Sequence, residues 1–184
     1  MMTLFTILAV CIGIDLVSSS ILVIQLLSGY GERVLLLGLV LLIPYLVHIV
    51  VYCIFWYKAW RTIHDPHART TPGKAVGFMF IPVFNLYWAF VLLWGFAKDY
   101  NAFCRRHNIG SPPEHLPAWY FLTVAILLGI FRFVQFVPIF GIIFGIGFYL
   151  TMLVLLYKTA RAVTAVQNHF TDPLQSFEGP AIQE

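Results

Sequence analysis

Charge is what this chain has least of. Asp, Glu, Lys and Arg together make up 10% of its 184 residues, against about a quarter in an ordinary soluble domain. So few ionic groups cannot clothe a water-soluble body of this length, which is enough for one domain. Cysteine is scarce as well. Cys11, Cys53 and Cys104 are odd in number and two of them sit in apolar runs. That excludes a disulfide framework and any zinc-ligand spacing, and the three read as small buried hydrophobes. A net charge of +3 is too small to point to nucleic acid. There is no Gly-rich phosphate loop, no nucleophile elbow and no His-Glu-x-x-His. No cofactor, no metal and no catalytic residue is therefore expected, and an enzyme would need an intramembrane site begun by Asp15 and His48. A basic segment ahead of the first apolar run is missing too, and Asp15 interrupts that run. It reads as a retained membrane helix and not as a signal peptide.

What is present is apolar. Hydrophobic residues are 60% of the chain and aromatic ones 17%, with a mean hydropathy of +0.86. A helix crossing a bilayer needs roughly 20 mostly apolar residues. Five stretches approach or exceed that: Leu4–Ser28, Val34–Tyr57, Ala75–Ala97, Pro117–Phe136 and Ile139–Tyr157. The expected fold class is all-α: a polytopic transmembrane bundle of four or five membrane-embedded helices. It forms one domain over 1–168, with a loosely ordered tail over 169–184. The turn Gly29–Arg33 joins the first two stretches as an antiparallel hairpin, and Val137-Pro138 joins the last two. The last helix is expected to run past the membrane through Lys158 and Arg161. Phe55-Trp56-Tyr57, Tyr87-Trp88 and Trp119-Tyr120 crowd the ends of the runs, as aromatic belts do at bilayer interfaces. Polar loops are expected over Lys58–Lys74 and Lys98–Leu116.

The middle stretch decides the topology. Ile81-Pro82-Val83-Phe84-Asn85 lies inside it, and proline in a helix removes a hydrogen bond and kinks or breaks the rod. Lysine and arginine in short loops favour the cytoplasm. If all five stretches span, Lys58, Arg61, Arg69, Lys74 and Arg132 oppose Arg33, Lys98, Arg105, Arg106, Lys158 and Arg161, which is no bias. If 75–97 enters and leaves on one side, only Arg33 and Arg132 remain apart from the other nine. The count favours a re-entrant segment with both termini cytoplasmic, whereas the length of the run favours a span. Either way the 98–116 loop and the C-terminus of this multi-pass cell-membrane protein are expected in the cytoplasm.

Few residues here suggest chemistry. Asp15 stands mid-helix, where charge is costly and is paired or functional. His48 falls at a similar depth on the other arm of the hairpin, so the two can form a proton relay or a cation site. A protonated Asp15 bonded to Ser18, Ser19 or a backbone carbonyl is the preferred reading. Asn85 follows the break at Pro82, where it caps the second half-helix; broken helices in transporters also expose backbone groups to substrates. His64-Asp65-Pro66-His67 is spaced like a metal site but lacks a third ligand, and reads as an interfacial loop. Arg132 can pair with Glu32. Gly141/Gly145 and Gly73/Gly77 are small-xxx-small packing signals. Lys58, Arg61, Arg69, Lys74, Arg105, Arg106, Lys158 and Arg161 form a basic surface suited to anionic lipids or an acidic partner. The bilayer itself, and a homo-oligomeric or membrane-protein partner, complete the expected associations. The function expected is a non-catalytic membrane scaffold, sensor or regulatory module. The alternative is a small oligomeric transporter or channel for protons or small cations.

Phe55-Trp56-Tyr57-Lys58-Ala59-Trp60-Arg61, followed by Thr71-Pro72-Gly73-Lys74-Ala75-Val76-Gly77-Phe78-Met79-Phe80-Ile81-Pro82-Val83-Phe84-Asn85-Leu86, resembles a family of small bacterial membrane proteins known as a domain of unknown function. Its members carry an aromatic-Tyr-Arg-Ala-Tyr-Arg segment and then Pro-Gly-x-Ala-Val-Gly-aromatic-aromatic-x-Pro-x-x-Asn-Leu, in places behind GYF-like soluble domains. Lys74 departs from the pattern, and Tyr87-Trp88 replaces a more polar continuation, which lengthens the apolar run. The resemblance implies a polytopic membrane fold and brings no activity, substrate or cofactor.

Overall fold

The structure is a computed structural model that describes residues 1–27, 31–109, 115–134 and 138–171. Among these residues it is all-helical. The helices are α1 (Met2–Leu27), α2 (Gly31–Thr62), α3 (Pro72–Gly77), α4 (Pro82–Phe90), α5 (Phe96–Arg106), α6 (Ala118–Val134) and α7 (Pro138–Thr171). α1 packs along α2 and along α7, and α7 along α6, while the shorter helices fill the space between α2 and α6. Among the described residues, two helices are long and apolar enough to cross a membrane, over Gly38–Thr62 and Gly145–Thr171. Met2–Ser18 and Ala118–Ile130 are shorter apolar helical stretches.

Several boundaries differ from the sequence expectation. α2 continues through Thr62, because Lys58 to Arg61 are good helix formers with nothing to stop them. α7 runs to Thr171, so residues 169–171 are helix, and 172–184 lie outside the described residues. The 98–116 stretch is not all loop, since α5 carries Lys98 to Arg106. Asp99 in its first turn and Arg105 and Arg106 in its last complement the helix dipole. α5 ends where Asn108 turns left-handed at φ 47°. The Ile109 N–H then reaches the Cys104 carbonyl at 3.1 Å, a Schellman closure in which Asn takes the place glycine usually holds.

The 75–97 stretch is not one rod. Thr71 caps α3 by accepting the Lys74 N–H, and Pro72 occupies the first turn. A 3₁₀ turn over Phe78–Phe80 follows, and Ile81 is extended. Pro82 then opens α4 from the position where its missing N–H costs nothing. Asn85 does not cap this helix: the N-cap is Ile81, and the Asn85 backbone N–H bonds the Ile81 carbonyl at 2.7 Å. The two arms fold against each other. Trp88 donates its indole N–H to the Ala75 carbonyl at 2.8 Å, and its ring meets Phe78 edge-on at 4.7 Å. A π turn over Val91–Gly95 joins α4 to α5.

The buried core lies toward one end of the bundle. Phe55, Trp56 and Trp60 of α2, with Ile63 just beyond it, meet Leu93 of the π turn, Phe96 and Tyr100 of α5, Phe121 of α6, and Leu155, Leu156 and Val163 of α7. Phe55 and Trp56, expected in an interfacial belt, are fully buried, whereas Tyr57, Tyr87 and Trp119 are exposed. The opposite stretch of α2 is bare: Leu39, Val40 and Ile43 are 63%, 63% and 67% exposed. Gly73 and Gly77 are exposed, and among the described residues nothing stands within 4 Å of a Cβ added at either, so no close helix packing is seen there. Glu32, Arg132 and Gly141 fall outside the described side chains.

Candidate functional site

Two clusters of polar side chains stand out, one at mid-height of the bundle and one at its packed end. The first is built by the α1–α2 pair. Asp15 of α1 and His48 of α2 are in direct contact, His48 Nδ1 on Asp15 Oδ2. Each lies about 20 Å along its helix from the end that carries Met1 and Thr62, at 1.5 Å per residue, so equal depth brings them together. They are largely buried, at 13% and 20% side-chain exposure. The Tyr52 ring stands edge-on to His48, and Tyr149 of α7 is within electrostatic range of the Asp15 carboxylate. A hydrogen-bonded carboxylate–imidazole pair can hold one proton between two groups. Asn85 is not part of it. It sits half-buried near the start of α4.

The second cluster surrounds residues 63–71 and α5. Asp65 accepts Arg106 Nη2 at 2.6 Å and Nε at 3.0 Å, and the His67 backbone N–H at 2.9 Å. His107 approaches the same carboxylate at 3.9 Å. The His64-Asp65-Pro66-His67 sequence is thus spent on a turn tied to Arg106. Burial opposes the charged form of Asp65, but the hydrogen bonds and positive charge of Arg106, with the His67 N–H, outweigh it and hold the carboxyl below its ordinary 3.8. A carboxyl lowered in the folded state stabilises above its unfolded value, and that stability is lost as pH falls through the folded one. Acid titration should therefore loosen this turn only below pH 3.8. Asp65→Asn should remove that limb from a pH-dependent thermal unfolding curve while costing about 1 kcal/mol at neutral pH.

Asp99 plays the same part for Arg69, accepting its Nε at 2.9 Å and its backbone N–H at 3.1 Å. The Arg69 stem lies on Gly95, where an added Cβ would stand 3.2 Å from Cδ. Buried Asn101 then holds the chain beyond α5. It donates to the Leu116 carbonyl at 2.7 Å and accepts the Leu116 N–H at 3.1 Å. These ties leave an open cleft of about 400 Å³ lined by Arg69, Lys98, Asp99, Asn101, Arg105 and His115, floored by Ala102. Asn101→Ala is expected to cost about 1–3 kcal/mol, because two backbone groups lose their buried partner; thermal unfolding in detergent reads it.

Of the basic residues picked from sequence, Arg69 and Arg105 line the cleft and Arg106 is taken by Asp65. Lys58, Arg61, Lys74 and Arg105 have no carboxylate partner among the described residues. Arg161 lies 5.7 Å from the Tyr157 ring centre, and Lys158 is half-buried beside it. Contacts gather these cations at one end: Thr62 with Gln167, Arg69 with Asp99, Asp65 with Arg106, Tyr100 with Ala162. Sequence reasoning passed over Asp99, Asn101, Lys98 and His115. The one available signal was that acidic residues are so few that each one inside a basic stretch has an arginine to answer. The chain matches no protein-family model, no curated protein and no solved structure.

Proposed function

We propose that this chain is an integral membrane protein whose long helices α1, α2, α6 and α7 cross the bilayer, and that it acts as a non-catalytic scaffold, sensor or regulatory module. Its basic cytoplasmic face would meet anionic headgroups or an acidic partner. The observation that carries this is the exposed apolar length of α2. The core helix of a soluble protein would be buried, but only 6% of its most apolar window is. An uncovered apolar surface of that extent marks a membrane or protein interface, and its span length supports hydrocarbon around it. Membership in the bacterial family that Phe55–Leu86 resembles belongs to the same proposal and adds no activity.

The re-entrant form of 72–97 is part of this reading. Arg69 and Asp99, just outside its two ends, are hydrogen-bonded to each other, which supports a segment that leaves on the side where it enters. The return arm from Pro82 to Ala97 rises about 24 Å at 1.5 Å per residue, which carries the Pro82 tip into a hydrocarbon layer about 30 Å thick without crossing it. Nine of eleven Lys and Arg residues then share one side, which the positive-inside rule assigns to the cytoplasm. A cysteine placed at exposed His67, in a chain whose native cysteines are replaced, should be labelled from the same side as a C-terminal tag. Labelling from opposite sides would replace this topology with a five-span one. Charge reversal of Lys58, Arg61, Lys158 and Arg161 should abolish preferential capture by anionic vesicles, and unchanged capture would end the surface-binding role.

The alternative, a small oligomeric channel or transporter for protons or small cations, is favoured by the Asp15–His48 pair at mid-depth. Reconstituted protein should then acidify vesicles, and Asp15→Asn should stop it. Flux equal to that of empty vesicles rules it out.

A further inference from the structure

The cleft beside α5 has a shape that the general basicity of this face does not explain. Lys98, Asn101, Ala102 and Arg105 recur at intervals of three and four, so they form one stripe along α5. That stripe is one wall, with alanine leaving room at its centre. Arg69 forms the facing wall, and it is fixed before any ligand arrives. Its Nε and backbone N–H are held by Asp99 and its stem by contact with Gly95. Its two Nη nitrogens have no hydrogen-bond partner among the described residues. His115 closes the rim because Asn101 pins the adjacent Leu116 on both backbone groups.

The charges sum in one direction. Arg69, Lys98 and Arg105 bring three positive charges, and Asp99, the one carboxylate among the described lining residues, is spent on Arg69. The location is equally specific. The apolar run ends at Ala97 and the cleft begins at Lys98, whose Nζ sits 3.8 Å over the Trp94 ring. A lysine folded over a tryptophan one turn back marks the headgroup level of a membrane helix.

We propose that this cleft binds one phosphate-bearing group, the headgroup of an anionic phospholipid being the form present at that depth. A prepositioned guanidinium fork suits two phosphate oxygens, with Lys98 and Arg105 as point charges on either side. The assignment rests on the membrane reading above for the source of the phosphate, and on the cleft alone for its chemistry.

The test uses the full chain in nanodiscs of phosphatidylcholine with a minor share of phosphatidic acid. After gentle re-extraction, native mass spectrometry counts the lipid each chain retains. Wild type should keep phosphatidic acid over phosphatidylcholine. Arg105→Glu should weaken retention about tenfold or more, as expected for losing a charge-assisted hydrogen bond and adding a repulsion. Ala102→Trp should do the same without changing any charge, by filling the cleft. Asn168→Glu, at an exposed position outside both the lining and the surface cations, should leave retention within about twofold. Should Ala102→Trp fail to fold, Arg105→Glu decides, since that side chain has no carboxylate partner to lose among the described residues. Soluble glycerol phosphate added as competitor separates the sources. Displacement by it alongside lipid retention supports the headgroup, and its binding without lipid retention keeps the phosphate site and assigns it to a soluble ligand. Equal losses from Asn168→Glu and Arg105→Glu, or neither lipid preference nor glycerol phosphate binding in wild type, overturn the site. Alkaline carbonate extraction runs beside it and reports separately on membrane insertion.

Discussion

Asp15→Leu alone is expected to destabilise the protein in micelles by about 3–5 kcal/mol, and His48→Leu alone by a similar amount. The double Asp15→Leu/His48→Leu variant should recover most of the loss. The reasoning follows from where the pair sits. Both side chains are largely buried, between helices whose neighbouring residues are apolar. Removing one partner leaves a polar or charged group with nothing to answer it in a medium that cannot solvate it. Removing both leaves two leucines at matching depth on packed helices, which is an ordinary contact. Asp15→Asn separates charge from hydrogen bonding, because the amide still bonds the imidazole but cannot share its proton. If it stays near wild type in unfolding titrations, the hydrogen bond matters more than the ion pair. Should the single losses simply add in the double variant, Asp15 and His48 are not an energetic unit.

How much of this was legible beforehand depends on the kind of signal. Helix existence was legible, because long apolar runs with few charges admit little else. So was the equal height of Asp15 and His48, since equal distances from a hairpin turn put two residues at one level, although the preferred reading tied Asp15 to its own helix and the contact came only with the structure. The break at Pro82 was legible as a break, but not the hairpin it makes. That depends on Trp88 reaching back thirteen positions to Ala75, and no local pattern encodes such a distance. Asn85 was misjudged for a related reason. A capping residue must precede the first helical turn, and with Pro82 already opening α4 only Ile81 is left for that place. Phe55-Trp56-Tyr57 was read as a belt because tryptophan is common at interfaces. The real place of Trp56, packed on Phe96, follows from α5 returning to lie against α2, which is a tertiary event. The cleft was illegible for the same reason: Arg69 and Arg105 are far apart in sequence, and it is the Asp99 and Asn101 ties that bring their surroundings together.

That returning helix also sets where stability resides, and Trp60 tests it. Trp60 is fully buried and meets Phe96 at 5.5 Å, 73° between ring planes. Trp60→Ala should cost about 3–5 kcal/mol, the range for deleting a buried aromatic without full collapse of the space. Ile43→Ala, on the bare stretch of α2, should move stability by about 0.5 kcal/mol or less, because its side chain faces the surrounding medium in both states. The contrast would show a bundle held mainly at its cation-rich end. Trp60→Phe refines the point. The Trp60 indole N–H has no hydrogen-bond partner among the described residues, and a buried donor left that way costs about 1–3 kcal/mol. Phenylalanine removes the orphan donor while keeping a ring on Phe96, so the lost volume and the relieved donor offset, and the net change should be about 1 kcal/mol or less. A loss as large as that of Trp60→Ala would mean that the indole N–H finds a hydrogen-bond partner in the folded protein. Thermal unfolding of the three variants in one detergent compares them. If Ile43→Ala proves as damaging as Trp60→Ala, the bare face of α2 is covered by protein and not by lipid, and the bundle works as an oligomer.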